Sequence, residues 1–269
     1  MSLPRLRNRL QTIKGLNSIF SALQVVTMVR TQKIKDKFSA MNRYLAPMKD
    51  VLAGRIGRSE SGKKVLVVIT SNRGLCGGFN HQAVRVAVEF AKREPKVDLV
   101  VLGRRGAEQL RREGQRVLFT DQSVVEKPGF EHTAAFFDKL YSLGADIYIA
   151  FNSYRSTLIQ NPKIYRLSPL PEEFDQAAQA RDFIIEPDKE ELLEKLYYHY
   201  LETRFYQLVL ESQMGELGAR FMVLKGAVDT SKEMVTGLRL AINKARQASI
   251  TGELLEIVSA AEAIRSDDE

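Results

Sequence analysis

Residues 188–269 read DKEELLEKLYYHYLETRFYQLVLESQMGELGARFMVLKGAVDTSKEMVTGLRLAINKARQASITGELLEIVSAAEAIRSDDE, a stretch of 82 residues without proline. All eight prolines of the protein lie at or before Pro187. Proline interrupts a helix interior because it has no N–H to donate and its ring clashes with the preceding turn. The stretch is therefore predicted to be one helix, which would extend for roughly 120 Å. Such a helix suits a protein that transmits force or position over a distance.

Apolar residues recur at helical spacing along this stretch, in two stripes. The first stripe comprises Leu193, Tyr197, Leu201, Phe205 and Leu208, and the second comprises Met234, Leu238, Ile242, Ala245, Ala248, Leu255 and Val258. Each glycine among them costs up to about 1 kcal/mol relative to alanine in a helix. Such glycines either break the helix or permit a close crossing with another element. We expect one helix, with any irregularity at Gly215–Gly218.

The first 55 residues predict a second long helix. Apolar residues recur there at steps of three and four: Leu6, Leu10, Ile13, Leu16, Phe20, Leu23, Val26 and Val29. Pro4 lies where a first turn tolerates proline, and Pro47 is a possible site of a bend. Glycines and serines between residues 54 and 62 then predict a linker.

The middle of the chain alternates between strand and helix patterns. Short β-branched runs at residues 65–70, 97–102 and 146–151 are typical of strands buried on both faces, and residues 164–170 are a candidate further strand. Helical patterns occupy residues 81–92, 105–113 and 133–143. This alternation predicts a mostly parallel sheet.

The predicted fold class is α/β: a long antiparallel coiled coil of N- and C-terminal helices with an inserted Rossmann-like α/β domain. The expected divisions are a coiled-coil helix at residues 1–55, an α/β globular domain at 64–180 and a long coiled-coil helix at 188–269. We expect no membrane-spanning helix, since no run of about 18 apolar residues occurs. The single cysteine, Cys76, excludes an internal disulfide and suits a reducing compartment.

Basic residues are concentrated at the start of the chain. Residues 1–40 hold eight lysines and arginines and one acid, which accounts for the formal net charge of +7, whereas residues 188–269 hold ten basic and fifteen acidic residues. Opposite charges on the two terminal segments favour their association. The alternatives for the basic segment are a nucleic-acid-binding arm and a membrane-surface helix.

A glycine-rich segment, TSNRGLCGGFN at residues 70–80, follows the strongest strand pattern and precedes a helix. It lacks the Gly-Lys-Ser/Thr ending of a P-loop. Its Gly-x-Cys-x-Gly pattern is similar to a nucleophile elbow, so a cysteine hydrolase with Cys76 as nucleophile and His132 as base is one hypothesis. The alternative is a tight glycine turn with a packed cysteine. The histidines and the cysteine show no metal-ligand spacing.

A polar segment lies near the end of the chain, at residues 243–251. Gln247 and Thr251 are four residues apart and therefore share one helix face. Small neighbours, Ala245 and Ala248, make this part of the helix slim. It is either an ordinary exposed face or a surface shaped to lie inside another protein.

Together, SNRGLCGGFN at residues 71–80 and NKARQASIT at residues 243–251, with ELLEIV at 253–258, resemble the gamma subunits of F-type ATP synthases. The resemblance covers essentially the whole chain. It implies a rotary shaft whose terminal helices turn inside a ring of alternating alpha and beta subunits. The α/β domain would stand on the membrane ring of c subunits, beside the epsilon subunit.

The resemblance also implies where the reaction takes place. ATP would be made or hydrolysed on the beta subunits, so this chain would carry no catalytic residue, cofactor or metal and would not bind nucleic acid. It implies a peripheral protein of a proton-translocating complex on the cytoplasmic face of a bacterial inner membrane.

Residue roles are also implied by this resemblance. Beta-subunit contacts are expected at Arg73, Cys76, Arg246, Gln247 and Thr251, a coupling pair at Glu216 and Arg220, and a foot on the rotor ring at Phe183, Ile185 and Glu186. The chain departs from the family where Asn72 replaces a usual acid. It departs again at residues 21–26, where Ser-Ala-Leu-Gln-Val-Val lacks the usual lysine and glutamate.

Overall fold

The computed structural model describes residues 2–54, 60–126, 128–171, 174 and 188–267, with side chains described as far as residue 259. Its helices are α1 (Leu3–Leu52), α2 (Phe79–Arg93), α3 (Arg104–Arg112), α4 (Ser123–Glu126), α5 (Phe130–Tyr141) and α6 (Lys189–Asp267). Its strands are β1 (Lys64–Ile69), β2 (Asp98–Leu102), β3 (Val117–Asp121), β4 (Asp146–Tyr154) and β5 (Gln160–Ser168). Helix, α/β sheet and helix therefore follow one another as the sequence predicts.

The five strands form one sheet in the order β3-β2-β1-β4-β5. The strand β1 pairs in parallel with both β2 and β4, so that Val67 lies beside Val100 on one side and Ile149 on the other. The strand β5 runs antiparallel to β4 at the edge. The predicted mostly parallel sheet is confirmed, and its central strand is the β-branched run that is buried on both faces.

Helices cover both faces of this sheet because alternate residues of β1 point to opposite sides. Val65, Val67 and Ile69 pack in a core that includes Phe137 of α5 and Phe205 of α6. On the other face, Leu66 and Val68 pack in a second core with residues of α2 and α3. Burial of each large apolar side chain contributes about 1.5–3 kcal/mol, so the C-terminal helix is anchored by the same core as the sheet.

The two long helices are continuous. The helix α1 contains Pro47 without ending there, and α6 runs unbroken for 79 residues. Within residues 27–223 they run antiparallel, since Asn42 bonds to Gln207 and, further along α1, Tyr44 Oη lies 3.0 Å from His199 Nε2.

The contacts divide the chain into two compact units, one formed by residues 1–26 with 224–269 and the other by residues 27–223. In the first unit, Asn17 Nδ2 of α1 donates to Ser231 Oγ of α6 at 2.9 Å. The Ser231 side chain is buried there and also donates to the Val228 carbonyl. Among the described residues, no helix is both long and apolar enough to cross a bilayer.

Glycines at positions 215 and 218 do not interrupt α6 but allow a close crossing. A Cβ atom at Gly215 would lie 3.3 Å from Cε2 of Phe79, and one at Gly218 would lie 3.2 Å from the Thr157 carbonyl oxygen. By contrast, a Cβ at Gly226 would meet nothing within 4 Å. The second expectation for these glycines, a tight crossing, is therefore confirmed at residues 215 and 218.

We predict that Gly218→Leu lowers the free energy of unfolding by about 1–3 kcal/mol, because the side chain would overpack against the Thr157 backbone. The matched substitution Gly226→Leu, on an exposed turn of the same helix, should leave stability unchanged or raise it by about 1 kcal/mol through helix propensity. Urea denaturation of the two purified variants measures the difference. Equal effects at both positions would contradict the close-crossing interpretation.

Candidate functional site

The loop that joins β1 to α2, residues 70–78, is held at the carboxyl ends of the parallel strands. Thr70 Oγ1 donates to the Leu102 carbonyl at 2.8 Å and accepts from the Gly106 N–H at 3.1 Å. A Cβ atom at Gly106 would lie 2.4 Å from Thr70 Oγ1, so only glycine permits this approach of α3. The carboxyl edge of the strands is where open α/β sheets place their binding loops.

A partly buried network of three polar side chains joins the loop to the first turn of α2. Asn80 Oδ1 accepts from the Ser71 N–H at 2.9 Å, and Asn80 Nδ2 lies 3.3 Å from Cys76 Sγ. The other polar neighbours of the sulfur are Ser71 Oγ and the Arg73 carbonyl. These contacts fix the turn from the inside.

The cysteine is therefore a packing residue. Cys76 is 2% exposed, and burial raises the pKa of its thiol above the usual value. A protonated, buried thiol is a poor nucleophile, and among the described residues the sulfur's hydrogen-bond partners include no histidine. This geometry favours the alternative, a tight glycine turn with a packed cysteine, over the cysteine-hydrolase hypothesis with His132 as base.

Arg73 and Leu75 form the outer surface of the loop. The Arg73 side chain is 69% exposed and lies 3.7 Å from Glu126. Leu75 has a φ of 62°, a conformation that is rare for leucine, and its side chain is 53% exposed. Sequence reasoning named Cys76 and missed Leu75, although an apolar residue within a glycine turn was the available signal.

Two residues of α6 hold the loop from behind. Glu216 and Arg220 are one helical turn apart and form an ion pair at 2.6 Å. The Arg220 guanidinium also donates to the Gly74 carbonyl, at 3.3 Å from both Nε and Nη2. We call this arrangement of Glu216, Arg220 and the Gly74 carbonyl the clamp. The predicted coupling pair and the loop with Arg73 are thus brought together in the unit of residues 27–223.

Burial of the clamp changes the acidity of its carboxyl group. Desolvation raises the pKa of Glu216, while the positive charges of Arg220, Arg73 and Arg30 oppose that shift. A buried carboxylate is stable only with such partners. The Glu216 carboxyl group therefore interacts electrostatically with three arginines, one each from α1, the loop and α6.

Three other predicted contact residues lie in the other unit, on the exposed surface of α6. Arg246, Gln247 and Thr251 are all exposed, and Thr251 Oγ1 donates to the Gln247 carbonyl at 2.9 Å. The apolar side chains around them are also exposed, with Ile250 at 47% and Leu254 at 57%. This segment therefore offers both polar and apolar groups to a partner.

The predicted foot, Phe183, Ile185 and Glu186, lies outside the described residues. Within the described part of the chain, no group of three or more histidines, cysteines, aspartates or glutamates is arranged to hold a metal ion.

Comparisons with known proteins give one consistent match. Residues 2–264 match the family model described as ATP synthase. The ATP synthase gamma chain of Geotalea daltonii is 30% identical, over 98% of this chain and 99% of its own length. That of Pelotomaculum thermopropionicum is 32% identical, also over 98% and 99%.

Solved structures share the fold. A chain of the Euglena gracilis mitochondrial ATP synthase, OSCP/F1/c-ring in rotational state 3, superposes with a TM-score of 0.73 at 20% identity, covering 99% of this chain and 96% of its own. A chain of the rotor of the same enzyme, in rotational state 1, has a TM-score of 0.70 at 19% identity, covering 92% and 98%.

We predict that Cys76 in the folded protein reacts with a thiol reagent at least about tenfold more slowly than in the urea-unfolded chain, because its thiol is buried and protonated. Asn80→Ala should accelerate the reaction, since it removes a side chain that covers the sulfur. Spectrophotometric titration with an aromatic disulfide measures both rates. A folded-state rate equal to the unfolded-state rate would show that the cysteine is accessible.

We predict that Glu216 makes stability depend on pH. Its folded-state pKa is raised, so its stabilising contribution is fully present below the unfolded value of 4.5 and is lost as pH rises through the folded pKa. The free energy of unfolding of the natural protein, measured relative to Glu216→Gln, should therefore fall over the pH range above 4.5. Denaturant unfolding across this range tests it, with Glu256→Gln on an exposed turn as control. The same pH dependence in both variants would contradict the assignment.

Proposed function

Because this chain belongs to the ATP synthase gamma family, we propose that it is the central rotor shaft of an F-type ATP synthase. It couples ion-driven rotation of a membrane ring to ATP synthesis or hydrolysis in the catalytic beta subunits. The observation that carries this proposal is a family match over nearly the whole chain, together with an unbroken helix of 79 residues.

An uninterrupted helix that is partly anchored in a globular core has the mechanical property that a shaft needs. In such a helix each turn is hydrogen-bonded to the next, so the backbone can carry torque along its axis. Phe205 and Leu208 of α6 are fully buried in the core, whereas Leu255 and Ile257 are more than 60% exposed. We infer that the buried part receives the torque and the exposed part delivers it.

The exposed end of α6 is suited to turning within a sleeve of partner subunits. Ile250, Leu254, Leu255 and Ile257 are all exposed, and consecutive positions such as 254 and 255 point to different sides of the helix. Apolar surface exposed on several sides of one helix indicates a partner that surrounds it. Arg246, Gln247 and Thr251 would then supply hydrogen bonds to a loop of beta at particular rotational positions.

The loop of residues 70–78 is the second proposed contact with beta. Arg73 would face an acidic helix–turn motif of that subunit, since its guanidinium is largely exposed and only loosely paired with Glu126. Cys76 would contribute indirectly, by holding the turn from within its polar network. The clamp would couple force on the loop to the shaft, because Arg220 joins the loop carbonyl to α6.

Rotation would act on catalysis by shifting conformational populations. Each orientation of an asymmetric shaft contacts the three beta subunits unequally, and a contact shifts a conformational equilibrium only by its differential free energy. ATP chemistry would remain on beta, so this chain has no catalytic role and needs no cofactor in this proposal.

The remaining partners follow from the same proposal. The α/β domain, assigned to residues 64–180 between helices at 1–55 and 188–269, would stand on the c-subunit ring beside epsilon. Phe183, Ile185 and Glu186 would form the foot. The protein would be peripheral on the cytoplasmic face of a bacterial inner membrane, in keeping with the bacterial source of the relatives compared above.

Assembly tests the shaft proposal directly. The full chain is co-expressed with alpha and beta subunits of the same source, and the complex is measured by native mass spectrometry. We expect one copy of this chain for each ring of three alpha and three beta subunits. A ring that assembles without incorporating the chain would overturn the proposal.

We predict that Gly252→Pro uncouples the assembled enzyme, because proline breaks the helix near the proposed contact segment. ATP synthesis driven by a proton gradient should fall by about tenfold or more, which corresponds to a rise of about 1.4 kcal/mol or more in the effective barrier. Gly252→Ala is the matched control and should retain synthesis, since a Cβ at this position would meet nothing within 4 Å. Unchanged synthesis in the proline variant would show that a rigid helix is not required there.

A further inference from the structure

A groove with a volume of about 830 Å³ lies within the unit of residues 27–223. Its walls come from α1, the loop of residues 70–78, the segment around residues 125–132 and α6. This volume is in the range of pockets that hold small organic ligands. The proposed shaft function uses three of its residues, Arg73, Glu216 and Arg220, and assigns no role to the groove itself.

Positive charge predominates in the groove. Five basic side chains line it, Arg30, Lys33, Lys37, Arg73 and Arg220, against three acidic ones, Glu126, Glu131 and Glu216. The formal excess is therefore two positive charges. A phosphate monoester carries about −1.5 to −2 at pH 7, so one such group would neutralise the groove.

Three of the five basic residues, Arg30, Lys33 and Lys37, have no ion-pair partner among the described residues, and Lys37 lies 3.5 Å from the Pro128 carbonyl oxygen. Arg220 pairs with Glu216 at 2.6 Å and Arg73 with Glu126 at 3.7 Å. Arg30 and Lys33, three residues apart on one face of α1, make no ion pair to any described residue. A guanidinium and an ammonium group placed together in this way can bind two oxygens of one phosphate.

The groove also has apolar walls and one buried polar side chain, Gln213. Val125, Phe130 and Leu217 supply the apolar walls, and the Phe130 ring is 38% exposed. Gln213 is 4% exposed and donates from Nε2 to the Val125 carbonyl at 3.0 Å. Its Oε1 is buried without a partner among the described residues. A buried acceptor without a donor is unfavourable, and an amino group on a ligand would satisfy it.

We propose that this groove binds a small phosphate-bearing anion with an aromatic body, that is, a nucleotide. Arg30 and Lys33 bind the phosphate, Phe130 and Leu217 pack against the base, and Gln213 accepts a hydrogen bond from an exocyclic amine. This site goes beyond the shaft function and regulates it if that function holds. A bound phosphate would hold Arg73 in the groove and away from its proposed contact with beta.

Calorimetric titration of the purified full-length chain tests the site, with ADP, inorganic phosphate and adenosine as separate probes. We expect saturable binding of one ADP per chain, weaker binding of phosphate, and the weakest binding of adenosine. Raising the salt concentration should weaken ADP binding, because ionic strength screens the phosphate contacts. Absence of saturable ADP binding up to about 10 mM, or adenosine binding as tightly as ADP, would overturn the proposal.

A pair of matched variants locates the site. Arg30→Gln combined with Lys33→Gln should raise the Kd for ADP about tenfold or more, because two charge-assisted bonds are lost. Lys35→Gln removes one positive charge from α1 at a position that does not line the groove, and should change the Kd by less than about twofold. Equal Kd values in the two variants would overturn the assignment of the site.

The two proposals fail in different ways. Both groove substitutions are on exposed positions, so the fold should persist and circular dichroism checks it. Loss of ADP binding with normal ring assembly would leave the shaft intact and identify the groove as the nucleotide site. ADP binding by a chain that fails to enter the ring would support the groove and overturn the shaft. If acidic peptides bind and ADP does not, the groove is a protein contact and the nucleotide proposal is wrong.

Discussion

The packing of α6 into the sheet's core is the interaction on which the rest of the structure depends. Leu201, Phe205 and Leu208 are fully buried against the sheet and α5. Two glycines, Gly215 and Gly218, then let the helix backbone approach the β4–β5 hairpin within contact distance. Tertiary packing supplies most of the stability of a helix in a protein, so these contacts stabilise α6 within residues 27–223.

The clamp fixes the position of the loop of residues 70–78 relative to the packed part of α6. Arg220 bonds both to Glu216 on its own helix and to the Gly74 carbonyl of the loop. These bonds link the position of residues 70–78 to the position of α6. The network of Ser71, Cys76 and Asn80 makes the turn itself stiff. Buried polar networks of this kind are most valuable when every member is bonded, because an unpaired member is costly.

Features of the site that depend on a short stretch of sequence could be predicted, whereas features that depend on contacts between distant residues could not. The turn at residues 70–80 was evident from its glycines and its place after a strong strand. The role of Cys76 was uncertain because a buried thiol and a reactive thiol share one sequence pattern, and only burial distinguishes them. Leu75 was missed because its left-handed backbone conformation is imposed by the surrounding loop. The groove was missed because Arg30, Phe130 and Gln213 are far apart in sequence.

The sequence by itself predicted the two long helices and three of the four parallel strands, because periodicity and proline placement act over short distances along the chain. It predicted neither β3 nor the order of the strands in the sheet. Family membership also followed from two motifs at opposite ends. Only the tertiary structure decided whether Gly215 and Gly218 break the helix or permit a close crossing. It also decided which groups accept hydrogen bonds from Arg220 and which basic side chains have no ion-pair partner. These outcomes depend on atoms brought together from distant segments, and such distances are set only when the core assembles.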